Sequence, residues 1–312
     1  MSPSTAPRNV STHVPILLDG AYRQHSPKPG SLLAEDDMII AQLSDPHIVA
    51  RGRLFRGPIQ GVAPDAERVL HEFDTATYLA RAVAAVNELV PQPDITVVTG
   101  DLVDHGTPEE YKHFCTLLAP LAMPVFLIPG NHDAREPLRE AFRSDGYLPA
   151  EGTLHYVIND YALRLVALDT LVDGKHHGSL NAEQLVWLDA TLAAQPDRAT
   201  VVMMHHPPFT IGITYMDGYS LDNAAAFAAI VARHPQIERI LCGHLHRAID
   251  RRFARTVAGT APGTAHQIRI NLVPGGPISF NFEPPGYQLH VWQDGSLVTH
   301  TALFGEWIDP VT

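Results

Sequence analysis

Apolar and polar positions change their spacing repeatedly along the chain, and each change marks an element. "MIIAQLS", from Met38, is a short apolar run that stops at polar residues and predicts a buried strand, whereas "RGRLFRGPIQG" after it has no period and reads as a loop. In "TATYLARAVAAVNEL" apolar residues recur at three- and four-residue spacing, predicting a helix that ends before Pro91. "DITVVTGD" returns to strand character. Thr107, Pro108 and Glu110 then start the helix "PEEYKHFCTLLAPL" as a capping box, with Pro tolerated where its missing N–H would have no partner anyway.

The alternation continues through a strand "PVFLIPG", a hairpin "HYVINDYALRLVALDT", a capped helix "NAEQLVWLDATLAA", a strand "ATVVMMHH", a helix "DNAAAFAAIVARH" and a strand "IERILCG". From Thr256 onward the pattern is β-rich with Gly/Pro turns. Strands alternating with helices predict a layered α/β architecture with its chemistry at the carboxyl ends of the strands. The expected plan is an N-terminal arm over residues 1–37, a core over 38–258 and a β-rich segment over 259–312 that completes the second sheet and caps the site.

Composition narrows the partners. At 312 residues and 45% hydrophobic content the chain can bury a large core. Its 34 acidic against 22 basic residues give a net charge of -12, a field that repels long nucleic acid. The basic stretch "HRAIDRRFAR" is short and broken by Asp250, and reads equally as a solvated strand edge or as a rim that attracts phosphate. Apolar runs such as "AAAFAAIVA" reach about half of the roughly 20 residues a membrane helix needs. With no basic leader before "VPILL", the expectation is a soluble, cytoplasmic protein without a membrane partner. Cys115 and Cys242 fall in helix-like and strand-like patterns and read as buried thiols. Histidine is the unusual residue, at 18.

Those histidines gather at strand ends. Each strand-like run closes in a polar signature: "SDPH" with Asp45 and His47, "GDLVDHG" with Asp101 and Asp104, "GNHD" with Asn131, His132 and Asp133, "MMHHPP" with His205 and His206, and "GHLH" with His244 and His246. Any one of these alone fits a solvated loop or a cap. Five strand ends rich in carboxylate, carboxamide and imidazole would be a poor way to stabilise a core unless the groups share a partner. Divalent or trivalent cations are such a partner, and this oxygen and nitrogen donor set, free of thiolate, suits Mn, Fe, Co or Zn. In extended backbone, residues i and i+2 face one side, so Asp45 with His47 and His244 with His246 would each converge on one point. Two ions roughly 3.5–4 Å apart can clamp a phosphoryl group and bring the pKa of a shared water near 7.

In these five ordered blocks the sequence resembles the calcineurin-like metallophosphoesterases over about two-thirds of its length. The resemblance implies a four-layer α-β-β-α sandwich with two mixed sheets and a dinuclear centre. One ion would be bound by Asp45, His47, Asp101 and His246, and the other by Asp101, Asn131, His205 and His244. "HHPP" and "PGTAHQ", Pro262 to Gln267, are most similar to the bacterial branch of cyclic-nucleotide phosphodiesterases and glycerophosphodiesterases. His132 matches a histidine placed beside the phosphate, suited to steadying charge or protonating the departing alkoxide. Asp101 and His132 are thus the candidate catalytic residues, and Asn131, His132 and His266 the candidate substrate contacts, with Thr264 and His266 expected at the rim. Asp104, Asp133 and His206 are expected to support ligands or turns. The implied activity is hydrolysis of small phosphodiesters, cyclic nucleotides or glycerophosphodiesters, by hydroxide bridging the two ions. A phosphomonoesterase or protein phosphatase of the same fold, or a scaffold with a decayed site, is the alternative. The tail, with Phe280, Phe282 and Trp292, is expected to support a homo-oligomer.

Overall fold

The structure, a computed structural model, describes residues 37–58 and 70–305, so all but Asp37 of the expected N-terminal arm lies outside the described residues. Strand β1 (Met38–Leu43) is followed by the antiparallel pair β2 (Phe55–Pro58) and β3 (Leu70–Phe73), helix α1 (Thr75–Asn87) and β4 (Ile95–Thr99). Next come α2 (Pro108–Leu118), β5 (Val125–Ile128), α3 (Arg135–Ala141), β6 (Tyr156–Ile158), β7 (Arg164–Ala167), α4 (Ala182–Ala193) and β8 (Thr200–Met203). A single turn α5 (Thr214–Asp217), α6 (Ala224–Val231), β9 (Ile237–Cys242), β10 (Ile249–Phe253) and β11 (Thr256–Thr260) lead to β12 (Gln267–Ile268), β13 (Phe280–Asn281), β14 (Gly286–Gln293) and β15 (Ser296–Leu303).

Two mixed sheets carry the fold, in the orders β15-β14-β1-β4-β5 and β10-β11-β9-β8-β7-β6. Their centres are parallel, and such strands are buried on both faces, which is why they read as continuous apolar runs. Alternate residues sort into separate cores. Ile40, Val97, Phe126, Leu165, Val201 and Leu241 meet between the two sheets. Leu43, Val98 and Leu127 face the opposite way, toward α1, α2 and α3. Val166, Val202 and Ile240 do the same on the other sheet, toward α4 and α6. Helix, sheet, sheet and helix are therefore stacked in that order, as expected.

The caps on α2 and α4 form as the pattern implies: Thr107 and Glu110 exchange hydrogen bonds reciprocally, and Asn181 and Gln184 do likewise. The stretch taken for a loop after β1 contributes strand β2. Its Phe55 packs against Phe73 and His266, long-range partners that a local pattern does not display. Helices α3 and α5 span 7 and 4 residues, too few for a period to emerge. The C-terminal strands differ from expectation in where they join. β14 pairs antiparallel with β1, so the tail extends the sheet that β1 begins, filling the edge of β1 that β4 leaves open. Trp292 consequently packs toward the core between the sheets and offers less of a free contact surface than expected. β10 is an edge strand with exposed Asp250, Arg251 and Arg252, the solvated edge of the two readings. Both cysteines are free thiols, Cys242 buried and Cys115 half-buried. Among the described residues no helix is long and apolar enough to cross a membrane.

Candidate metal centre

All five polar signatures follow the ends of parallel strands: β1, β4 and β5 in one sheet, β8 and β9 in the other. After β1, β4 and β9 the backbone is not extended. Among the described residues seven other than glycine have positive φ, and five of these are Asp45 (52°), His47 (44°), Asp101 (49°), His244 (71°) and His246 (47°). The expectation that i and i+2 converge because the segments are extended is therefore corrected. Strands β1, β4 and β9 end in left-handed turns, a conformation disfavoured by roughly 1–2 kcal/mol per residue, and such strain persists where the surrounding packing imposes it. Gly243 works by close approach: a Cβ there would lie 2.5 Å from Ser44 Oγ and 3.0 Å from Asp45 Oδ2. That approach lets the His244 N–H donate to both Asp45 oxygens, at 3.0 and 3.1 Å. Leu245, between the two histidines, turns away into an apolar cluster with Ile213, Met216 and Ile268.

The side chains gather into two groups. Donor atoms of Asp45, His47, Asp101 and His246 lie within 4.8 Å of one another, as do those of His205, His206 and His244. Asn131 joins the second group, its Oδ1 3.3 Å from His205 Nε2. Asp101 connects them: its Oδ2 is 3.5 Å from His47 Nε2 and 3.4 Å from His205 Nε2, while its Oδ1 accepts the His132 N–H at 2.9 Å. His205 Nδ1 donates to the Thr99 carbonyl at 2.8 Å and His246 Nδ1 to the His266 carbonyl at 3.1 Å. A carbonyl only accepts, so each ring carries a proton on Nδ1 and turns Nε2 inward. Nε2 of buried His244 finds no hydrogen-bond partner among the described residues. His47 Nε2 and His246 Nε2 face each other at 3.1 Å. Buried nitrogens arranged this way are costly alone and fit a shared cation.

The charges point the same way. Burial lifts the Asp45 carboxyl to about 6, against the pull of His205. Burial also opposes ionisation of Asp101, yet His205, His132 and His47 hold it well below the usual carboxylate range. His205 and His132, disfavoured as cations by burial, are carried up to about 9 and about 10 by Asp101, with Asp104 adding to the second. Burial brings His246 down to about 4 and holds His244, His206 and His266 well below the ordinary imidazole value, so these rings are neutral, the form that ligates metal.

Around the groups, Asp104 stands 3.4 Å from both His47 Nδ1 and His132 Nδ1. Asp133 accepts from the N–H groups of Gly130 and Leu102 and from Tyr111 Oη, tying together the turns after β4 and β5. His206 Nδ1 meets Thr170 Oγ1 at 2.8 Å and its Nε2 donates to the His176 carbonyl at 3.2 Å. Thr264 and His266 are fully buried, which corrects their expected place at a rim. His266 lies against His246 and His47, enclosed by Phe55, Phe73 and Phe280. Two participants escaped the sequence reading. Asp169, at the end of β7, binds Arg135 through two hydrogen bonds at 2.7 and 3.0 Å, and its "VALDT" ending is the same strand-then-polar signal as the other five. His176 stands 3.4 Å from the Asn131 amide on a loop with no local signal.

With this geometry in view, the comparisons with known proteins are specific. A family model described as "Calcineurin-like phosphoesterase" matches residues 38–248. The chain is 34% identical over 275 residues to a probable glycerophosphodiester phosphodiesterase of Arcobacter nitrofigilis, covering 88% of this chain and 96% of that one. It is 31% identical over 280 residues to a 3',5'-cyclic adenosine monophosphate phosphodiesterase of Pseudomonas aeruginosa, covering 88% and 92%. Among solved structures, a dimetal phosphatase from Danio rerio superposes with a TM-score of 0.58 at 13% identity over 85% of this chain and 96% of that one, a likeness of fold.

Proposed function

We propose, given that the chain belongs to the calcineurin-like phosphoesterase family, that it hydrolyses small phosphodiesters at a dinuclear metal centre. The observation that carries the reading is the single Asp101 oxygen 3.5 Å from His47 Nε2 and 3.4 Å from His205 Nε2, one carboxylate serving both donor groups. Asp45, His47, Asp101 and His246 would hold one ion, and Asp101, Asn131, His205 and His244 the other, with Mn, Fe, Co or Zn suited to these donors. Bound there, the ions would supply Lewis acidity toward the phosphoryl oxygens and make water acidic enough to ionise near neutral pH.

The chain's own residues supply the rest. His132 anchors its Nδ1 on the Asp104 carbonyl at 2.9 Å and keeps a ring that is 32% exposed, able to reach substrate through Nε2. Held protonated beside Asp101 and Asp104, it is suited to donate a proton to the departing alkoxide. Arg135 and Arg247, the arginines nearest the ligand blocks in sequence, are engaged by Asp169 and Asp173 and by Glu283 and the Ile268 carbonyl. A terminal phosphate dianion favours a free guanidinium clamp, so their engagement supports diesters over monoesters. The net charge of -12 further favours compact substrates over polymers. Two relatives are named for glycerophosphodiesters and cyclic adenosine monophosphate, which makes these the first substrates to try.

Titrating Mn²⁺ into metal-free protein while following bis(p-nitrophenyl) phosphate, p-nitrophenyl phosphate, cyclic AMP and glycerophosphoethanolamine tests the reading. Metal-dependent turnover with diesters ahead of the monoester is expected. Absence of metal-dependent hydrolysis overturns it, and a monoester preference makes the protein a phosphatase.

A further inference from the structure

A row of rings leaves the centre on its open side. His47 and His132 stand 4.7 Å apart between ring centroids, His132 and His176 6.2 Å, His176 and Tyr219 5.4 Å, and Tyr219 and Tyr215 5.2 Å. The row runs from buried to exposed, ending at Tyr215, 42% of whose surface is open. None of His176, Tyr215 and Tyr219 takes part in an apolar core. The segment that carries the tyrosines is nonetheless firmly held. Ile213 and Met216 are buried beside Leu245, the residue between the two histidines of "GHLH". Asp217 accepts the N–H groups of Ile211 at 2.6 Å and Gly212 at 3.0 Å. Tyr215 and Tyr219 flank that anchored turn with their rings 5.2 Å apart.

A contrast within the same site gives the row meaning. The phenylalanines on the other side, Phe55, Phe73 and Phe280, enclose His266 and are buried or half-buried, so their rings are used in packing. In the row His176 and Tyr215 are exposed and Tyr219 is half-buried, on a segment anchored at Ile213 and Met216 and beside the His132 ring that faces substrate. Displayed aromatic faces next to a phosphate-binding centre bind flat π-systems, because stacking tolerates any base or aryl ring.

We propose that His176, Tyr219 and Tyr215 form an arm that receives a flat aromatic substituent of the diester, a nucleobase or an aryl group, and set a preference for such substrates over diesters of glycerol and other alkyl alcohols. The proposal rests on the phosphodiesterase reading above. Tyr219 and Tyr215 are specificity-determining residues, and His176 also positions Asn131 through the 3.4 Å contact to its amide.

The test compares kcat/KM for cyclic AMP, bis(p-nitrophenyl) phosphate and glycerophosphoethanolamine in manganese-loaded wild type, Tyr219→Ala, Tyr219→Phe and Tyr215→Ala. The ratio of cyclic AMP to glycerophosphoethanolamine should fall about tenfold in Tyr219→Ala, mainly through KM, and a few-fold in Tyr215→Ala, and hold in Tyr219→Phe. A matching fall for the aryl diester means that any flat ring is accepted, and a fall for cyclic AMP alone means that the arm reads a base. A ratio that stays constant, or a parallel loss on all three substrates, overturns the arm while leaving the phosphodiesterase reading intact. If wild type hydrolyses none of them, that reading falls, and calorimetry with AMP against glycerol 3-phosphate on wild type and Tyr219→Ala decides the arm. Tighter binding of AMP that the alanine abolishes supports it, and equal binding overturns it.

Discussion

The two donor groups that meet at Asp101 are unequal. One combines two carboxylates, Asp45 and Asp101, with His47 and His246, all nearly inaccessible. The other shares Asp101 but adds no second carboxylate, only His205, His244 and the amide of Asn131, and it opens toward His132 and His176. At the short distances involved a whole charge outweighs an amide dipole. On the proposed dinuclear reading the difference would give the groups separate tasks: the more anionic, closed group would retain its ion, and the more open one would leave cationic strength available for an arriving phosphoryl group. Chelation should accordingly remove the ion of the Asn131 group first.

The severest way to break the comparison is to delete the residue the groups share. Asp101→Ala should empty both sites and lower turnover by at least about 10³-fold, the scale of losing electrostatic stabilisation of a transition state. Metal content by mass spectrometry, read beside the rate, checks it, and one retained ion would show that Asp101 serves a single group. His132→Ala separates chemistry from binding. It should keep both ions while slowing turnover by about 10²–10⁴-fold, the range for a general acid. Loss of an ion with that substitution would make His132 a ligand and move it out of the proton-transfer role.

How far the sequence discloses this site depends on the range of the interactions involved. Runs such as "DITVVTGD" announce both the strand and its polar end, because parallel strands buried on two faces must be apolar throughout. The donors at 45, 47, 101, 131, 205, 244 and 246 were legible for that reason, and the structure brings them together. The backbone that aims them was not. Left-handed φ at Asp45, His47, Asp101, His244 and His246 is imposed by packing, and none of these residue types advertises it as glycine would. Equally hidden were β2 with Phe55 and the buried place of His266, since each depends on partners far along the chain. His176 lies in a loop whose sequence is ordinary, and only its approach to Asn131 and Tyr219 gives it interest.

The mildest intervention sharpens the comparison by making the groups alike. Asn131→Asp is nearly isosteric and adds a carboxylate to the less anionic group beside His205. If charge is what separates the two, the weaker ion should bind about tenfold tighter, about 1.4 kcal/mol, while the ion at Asp45 changes little. The added charge would also repel the phosphoryl oxygens, so KM for a diester should rise even as metal retention improves. Calorimetric titration of Mn²⁺ beside a Michaelis curve reads both quantities. Tighter metal with weaker substrate would establish that the neutrality of Asn131 serves catalysis at some expense of metal affinity. Unchanged metal affinity would transfer the difference between the groups from charge to exposure, since Asn131 and His132 border solvent whereas Asp45 is fully enclosed.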